Sequence, residues 1–312
     1  MKPQWLTYAV LAIATAGIGA AQQPQPQRPR MAVPGTVNYF EGQVSVNGIA
    51  LDRNQLGYAE LDSGGVLDTG NGKAEVLLSP GVILRAGSNS EVRMLASDIA
   101  NTHVEVTRGE ALIEVDQKSK DARVDVTEGN SNTALLEHGL YRFDANQGLV
   151  QVIDGKANLT VNGQSKDIGG GKEIALNAPK LKAVSFDRKA EDDLYRWSSV
   201  RSDYLAEANV STAQGIYAGA PYWGPGWYWN PYFTSWAWLP GDGYLYGPFG
   251  YPFFSVGYAA YAPYFGFYGR GGYYRGAPGL RAGGIPRSSA FVGGGFRGGI
   301  AGGGFHGGGA RR

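Results

Sequence analysis

The chain contains no cysteine. This excludes disulfides, thiolate metal ligands and a lipid-bearing thioether at a processed N-terminus. In an oxidising compartment its stability must come from packing alone. Acidic residues are missing from the C-terminal end. The last is Asp242, and beyond it stand Arg270, Arg275, Arg281, Arg287, Arg297, Arg311 and Arg312. Histidine is scarce, and His103, His138 and His306 share no metal-ligand spacing. No Gly-x-Ser-x-Gly nucleophile elbow occurs. After the N-terminal run, no stretch stays apolar for 18 residues without Gly, Pro or charge. The exported chain is therefore expected to be soluble or peripheral.

The N-terminus has the layout of a secretory signal peptide. Lys2 is the only charge before Arg28, an apolar run extends from Leu6 to Ile18, and Gly19, Ala20 and Ala21 follow. An apolar run of about 13 residues is shorter than the roughly 20 that a spanning helix needs. Residues 1–21 are read as the signal peptide. Residues 22–34, opening Gln22-Gln-Pro-Gln-Pro-Gln-Arg-Pro-Arg30, are read as a Gln/Pro linker. The expected destination is the periplasm or cell surface of a bacterium.

Residues 35–186 read as β throughout. Val104 and Val106 alternate with Glu105 and Thr107, and Val124 and Val126 with Arg123 and Asp125. A period of two with one apolar set marks half-buried strands. Turn signals recur at short intervals: Asn47-Gly48, Gly70-Asn71-Gly72, Ser79-Pro80-Gly81, Asp154-Gly155 and Asn162-Gly163. About a dozen short strands at this spacing predict an all-β fold, whether sandwich, roll or solenoid. Val106, Val115, Val126, Leu140 and Val152 are expected to face inward.

One helix is predicted after this domain, over 187–210. Asp187 is its expected cap, with Leu194, Trp197, Val200, Tyr204 and Leu205 on one stripe. Arg196, Arg201, Asp203 and Glu207 are expected mostly off that stripe. Residues 211–312 form an aromatic, Gly and Pro-rich segment that passes into a Gly/Arg-rich one, and five of the seven Trp residues fall between Trp223 and Trp238. Proline interrupts any strand ladder and the glycine content disfavours an ordinary core. This tail is expected to be largely irregular, dispensable for folding, and available for adhesion. Trp223, Trp227, Trp229, Trp236 and Trp238 are its candidate stacking residues, because Trp faces stack on sugars and sit at membrane interfaces.

Asp68-Thr69-Gly70 matches the aspartic-protease triplet, with Asp62-Ser63-Gly64 nearby. Such motifs normally come from separate lobes, so here they read as turns capped by Asp. No catalytic, cofactor or metal residue is assigned, and neither a small-molecule substrate nor a nucleic-acid partner is expected.

The order of motifs resembles a FecR domain. The stretch Gly65-Val-Leu-Asp-Thr-Gly-Asn-Gly-Lys-Ala-Glu-Val-Leu-Leu-Ser-Pro-Gly-Val-Ile-Leu-Arg-Ala-Gly-Ser-Asn-Ser-Glu-Val-Arg-Met94 is similar to that family's centre. Val104-Glu-Val-Thr-Arg-Gly-Glu-Ala-Leu-Ile-Glu-Val115, Ala122-Arg-Val-Asp-Val126 and His138-Gly-Leu-Tyr-Arg-Phe143 resemble its later steps. The resemblance covers about half the chain. The resemblance implies a periplasmic signalling regulator in a transporter and sigma-factor pathway. From the tail's rings and arginines and the lack of a catalytic constellation, the leading expectation is a non-enzymatic envelope module that binds a protein or a wall polysaccharide, with peripheral membrane contact through the tail. A self-associating structural surface protein is the other alternative.

Overall fold

A computed structural model describes residues 31–189 and 191–265. The signal peptide, most of the Gln/Pro linker, His306 and the seven C-terminal arginines lie outside the described residues.

Among the described residues the fold is all-β with one α-helix. In order, the first strands are β1 (Val37–Glu41), β2 (Ser45–Val46), β3 (Ile49–Ala50), β4 (Val66–Asp68), β5 (Lys73–Ser79), β6 (Val82–Ala86), β7 (Glu91–Asp98) and β8 (Asn101–Arg108). There follow β9 (Glu110–Val115), β10 (Arg123–Glu128), β11 (Ser131–Leu135), β12 (Gly139–Asp144), β13 (Leu149–Asp154), β14 (Lys156–Val161), β15 (Gln164–Gly169), β16 (Lys172–Ala175) and β17 (Val184–Ser185). They form two sheets. One has the order β1-β5-β6-β9-β12-β13-β16-β17, the other β15-β14-β11-β10-β8-β7-β4-β2-β3. Every ladder is antiparallel except β8 with β10.

The sheets pack face to face as a sandwich. One apolar cluster joins Val76, Leu84, Ile113, Phe143 and Val152 of the first sheet to Val92, Met94, Val106, Val126 and Leu159 of the second. Four of the five residues expected to face inward (Val106, Val115, Val126 and Val152) lie in this cluster. Leu140 is buried on the opposite side of its sheet, with Leu112 and Leu194. The turn signals sit where predicted. Asn47 and Asn162 take positive φ ahead of Gly48 and Gly163, and Gly155 has φ +89°.

The outer face of the first sheet carries a third layer, and here the structure differs from the sequence reading. Helix α1 runs Asp193–Tyr217 and is capped by Asp192, whose carboxylate accepts the Tyr195 N–H at 2.7 Å. It therefore starts later than the Asp187 cap implied and continues past 210. Ala213 and Ile216 hold its last turns in an apolar cluster of their own. Beyond it are two hairpins, β18 (Gly226–Asn230) with β19 (Ser235–Leu239) and β20 (Tyr244–Tyr246) with β21 (Pro252–Phe254). The part of the tail up to residue 265 thus packs as a layer instead of hanging free. Its prolines lie at the margins of the ladders: Pro225 and Pro231 flank β18, Pro240 follows β19 and Pro252 opens β21.

Candidate binding groove

The β18–β19 hairpin pairs Trp227 with Trp238 and Trp229 with Trp236. Side chains alternate along a strand, so all four indoles share one face and Tyr228 and Ala237 share the other. The indole face packs with Leu77 and Ile83 of the first sheet. The Tyr228 face packs with Ala213 and Ile216 of α1. Polar anchors fix this geometry. Asn209 of α1 is buried, donates to the carbonyls of Trp238 at 2.7 Å and Phe254 at 3.0 Å, and accepts the Phe254 N–H. Asn38 accepts the Trp236 N–H at 2.7 Å, and Trp236 Nε1 donates to the Gly57 carbonyl at 2.8 Å. Gly57, at φ +73°, lies so close to the Trp229 ring that a Cβ there would overlap it.

Against this hairpin opens an aromatic groove of about 390 Å³. Trp223, Trp227, Trp229 and Trp236 line it with Tyr228 and Tyr232, and Met31, Pro221, Pro231 and Ile216 complete the walls. Four of the five candidate stacking residues therefore meet in one site. Trp238 does not: it is buried against Phe253, at 5.6 Å between ring centres. Trp227 and Trp236 are also largely buried, so they serve as groove floor and not as free stacking faces. Trp223 remains 48% exposed and Tyr232 87%. Trp223 stacks on Tyr228 at 5.3 Å and 13° between ring planes, and Trp229 meets Trp236 edge-on at 5.6 Å.

Asn230, Thr212 and Tyr228 beside the groove are engaged internally. Asn230 donates to Thr212 Oγ1 at 2.9 Å and accepts the N–H groups of Tyr232 and Phe233. Thr212 donates to the Ala208 carbonyl and Tyr228 to the Gly224 carbonyl. The site thus offers ring faces together with the exposed side chains of Tyr232 and Trp223.

A second constellation, which sequence reasoning missed, lies beneath the third layer. Arg85 donates to Glu75 at 2.9 Å and to Glu114 at 2.6 Å. Arg201, expected on the outer side of its helix, reaches Glu75 at 2.8 Å and lies over the Tyr39 ring at 4.0 Å. Ser202 donates to Glu114 at 2.7 Å and Asn38 to Glu75 at 3.0 Å. Glu75, Arg85 and Glu114 have no solvent exposure. Burial raises the Glu75 carboxyl, but Arg201 and Arg85 more than reverse this and hold it below its ordinary range. Asp116 is pushed well up, by burial first and then by Glu114. The available signal was a charge inside an apolar run, as in Ala74-Glu75-Val76-Leu77 and Val82-Ile-Leu-Arg-Ala86. Sealed from solvent, the cluster ties sheet to helix.

The other motifs are structural. Asp68 accepts the Gly70 N–H at 2.9 Å and pairs with Arg108, while Thr69 donates to the Gly87 carbonyl at 2.6 Å. His103 bonds Thr127 and His138 the Tyr246 carbonyl. Among the described residues no group of three or more His, Asp or Glu could hold a metal, and no helix is long and apolar enough to cross a membrane.

No family model matches the chain, and no curated protein matches it. Among solved structures, two crystal structures from Parabacteroides distasonis, each provisionally described as that of an anti-sigma factor, show similarity. The first, at 1.65 Å resolution, is 14% identical over 44% of this chain with a TM-score of 0.35. This chain spans 64% of its length, under two thirds. The second, at 2.50 Å resolution, is 13% identical over 56% of this chain and 73% of its own, with a TM-score of 0.34. Likeness at this level carries no argument about activity.

Proposed function

We propose that this chain is a non-enzymatic binding module of the bacterial envelope, a FecR-type sandwich whose third layer holds an extended, proline-bearing segment of a protein partner. The observation that carries this reading is the groove, where six aromatic rings and two prolines converge. A polyproline-type segment presents rings that stack on aromatic walls, and its conformation is largely preformed, so little entropy is lost on docking.

Decaproline titrated into the full chain is expected to shift the Trp emission saturably. Trp223→Ala combined with Tyr232→Ala should abolish the shift, and both side chains are exposed enough to be removed without breaking the fold. An emission that never changes would overturn the reading. So would cosedimentation with purified cell wall that depends on the same two rings, since that would assign the groove to glycan.

A further inference from the structure

Away from the groove, two different periodicities bring four exposed tyrosines onto one surface. Tyr244 and Tyr246 stand two residues apart on β20 and so share a face. After β21 the chain enters a 3-10 helix, Val256–Phe265. Residues three apart eclipse each other in that geometry. Ala259 and Ala262 form its buried side, packed with Ala213 and Val210 of α1. Tyr258 and Tyr261 form an exposed side. Ring centres lie 6.0 Å apart for Tyr244 and Tyr246, 6.4 Å for Tyr244 and Tyr258, and 5.9 Å for Tyr258 and Tyr261.

We propose that this cluster is an oxidative cross-linking site, in which a dityrosine bond joins Tyr244 to Tyr258 within one chain. The oxidant is hydrogen peroxide, used by a haem peroxidase. Each phenol gives up one electron and its hydroxyl proton. The two phenoxyl radicals join at ring carbons ortho to oxygen. The hydrogens on those carbons then move to the oxygens, which restores both aromatic rings. Two hydrogen atoms have left the protein, and one peroxide has become two waters.

Three observations favour this site. The first is position. Tyr244 touches both Tyr246 and Tyr258, and its ring lies on that of buried Phe254, at 6.0 Å and 28° between planes. A radical formed on any of the four rings therefore has another phenol beside it. The second is exposure. The four residues are between 41% and 55% exposed, so an oxidant reaches them and the rings can turn until ortho carbons meet. Tyr222 and Tyr228 also stack, at 6.1 Å, but Tyr228 is buried and donates to the Gly224 carbonyl, which holds it in place.

The third is what the bond connects. The β20–β21 hairpin has only three residue pairs, and so short an element is marginal by itself. A bond from Tyr244 to Tyr258 ties it to the 3-10 helix that packs on α1. The chain has no cysteine, so a disulfide cannot supply that restraint. A tyrosine cross-link limits the unfolded chain in the same way.

The test treats the dilute full chain with hydrogen peroxide and a haem peroxidase. The expected product is a monomer lighter by two hydrogens, with dityrosine fluorescence, in which tandem mass spectrometry places the bond between Tyr244 and Tyr258. Its urea midpoint should lie above that of the untreated chain. Tyr244→Phe keeps a ring on Phe254 but has no phenol. It should lower the yield of coupled monomer at least five-fold and remove the shift in midpoint. Tyr217→Phe, at the exposed end of α1, should leave both unchanged.

An undiminished yield in Tyr244→Phe would overturn the proposal, and so would a bond mapped to any other pair. An equal loss in Tyr217→Phe would show that exposure and not position selects the rings, which also overturns it. Covalent dimers in place of the coupled monomer would mean that the rings join between chains and would overturn the assignment within one chain.

Discussion

Arg201 shows how a single side chain can decide the placement of a helix. It was expected mostly off the helix's apolar stripe; instead it is buried, bonded to Glu75 and stacked on Tyr39. Val200, expected on the buried stripe, is 55% exposed. The stripe was misread because the surface beneath α1 is a charged cluster that Arg201 and Ser202 meet, while Asn209 is buried against the hairpin backbone. A helix laid on a polar sheet face need not show an apolar stripe. Arg201→Ala would leave Glu75 with only Arg85 and Asn38 in a dry site, and breaking such a pair costs about 3–5 kcal/mol. Chemical unfolding should report a loss of that size. Adding Glu75→Gln should recover part of it, because the two changes share one interaction. A loss under about 1 kcal/mol would show that solvent reaches the cluster.

At the scale of elements, the strands were legible and the third layer was not. Alternation in Arg123-Val-Asp-Val126 and the Asn-Gly turns report locally on a two-residue period, and local signals survive into the fold. The Trp-rich hairpins lack that signal because both faces are aromatic and proline stands at each margin. Their burial depends on a remote surface, the outer face of the first sheet with Leu77 and Ile83. That packing predicts that the segment up to residue 265 contributes to stability, where the sequence suggested that the tail is dispensable for folding. A chain ending at Tyr217 would keep α1 and its bonds to Glu75 and Glu114 but uncover Leu77 and Ile83. Each large apolar side chain returned to water costs about 1.5–3 kcal/mol. The loss should reach roughly 5 kcal/mol or more, lowering Tm by more than about 10 °C. Thermal scans of the two chains check this, and an unchanged Tm would mean that the layer is not coupled to the sandwich.

For the whole molecule, buried carboxyls set the dependence of stability on pH. Glu128, at the end of β10, is raised from 4.5 to about 7, by burial first and then by Asp144 across the sandwich. A carboxyl whose folded value is raised holds its proton more tightly in the fold than in the unfolded chain. Its contribution is fully present below about 4.5 and is lost as pH rises through about 7. Asp116 is displaced in the same direction. Glu75, held low by its arginines, has the opposite sign and loses its contribution as pH falls. Glu128→Gln should thus stabilise the chain at pH 8 by about 1–3 kcal/mol and have no effect near pH 4. Urea midpoints at the two pH values measure the difference. A gain of equal size at both would mean that Glu128 does not titrate with folding.

The sequence by itself determined the all-β class, the turns, the helix that follows and the aromatic cluster as the place to look, because each is written in neighbouring residues. Only the tertiary structure decided that Trp227, Trp236 and Trp238 are floor and core while Trp223 and Tyr232 remain open. It alone decided that Arg85 and Arg201 are buried and that Met31 stands at the groove. Burial is a relation between segments far apart in the chain, here residues 31–39, 75–85, 201–216 and 223–239. It is fixed by which surfaces can exclude water together, and no local pattern encodes that.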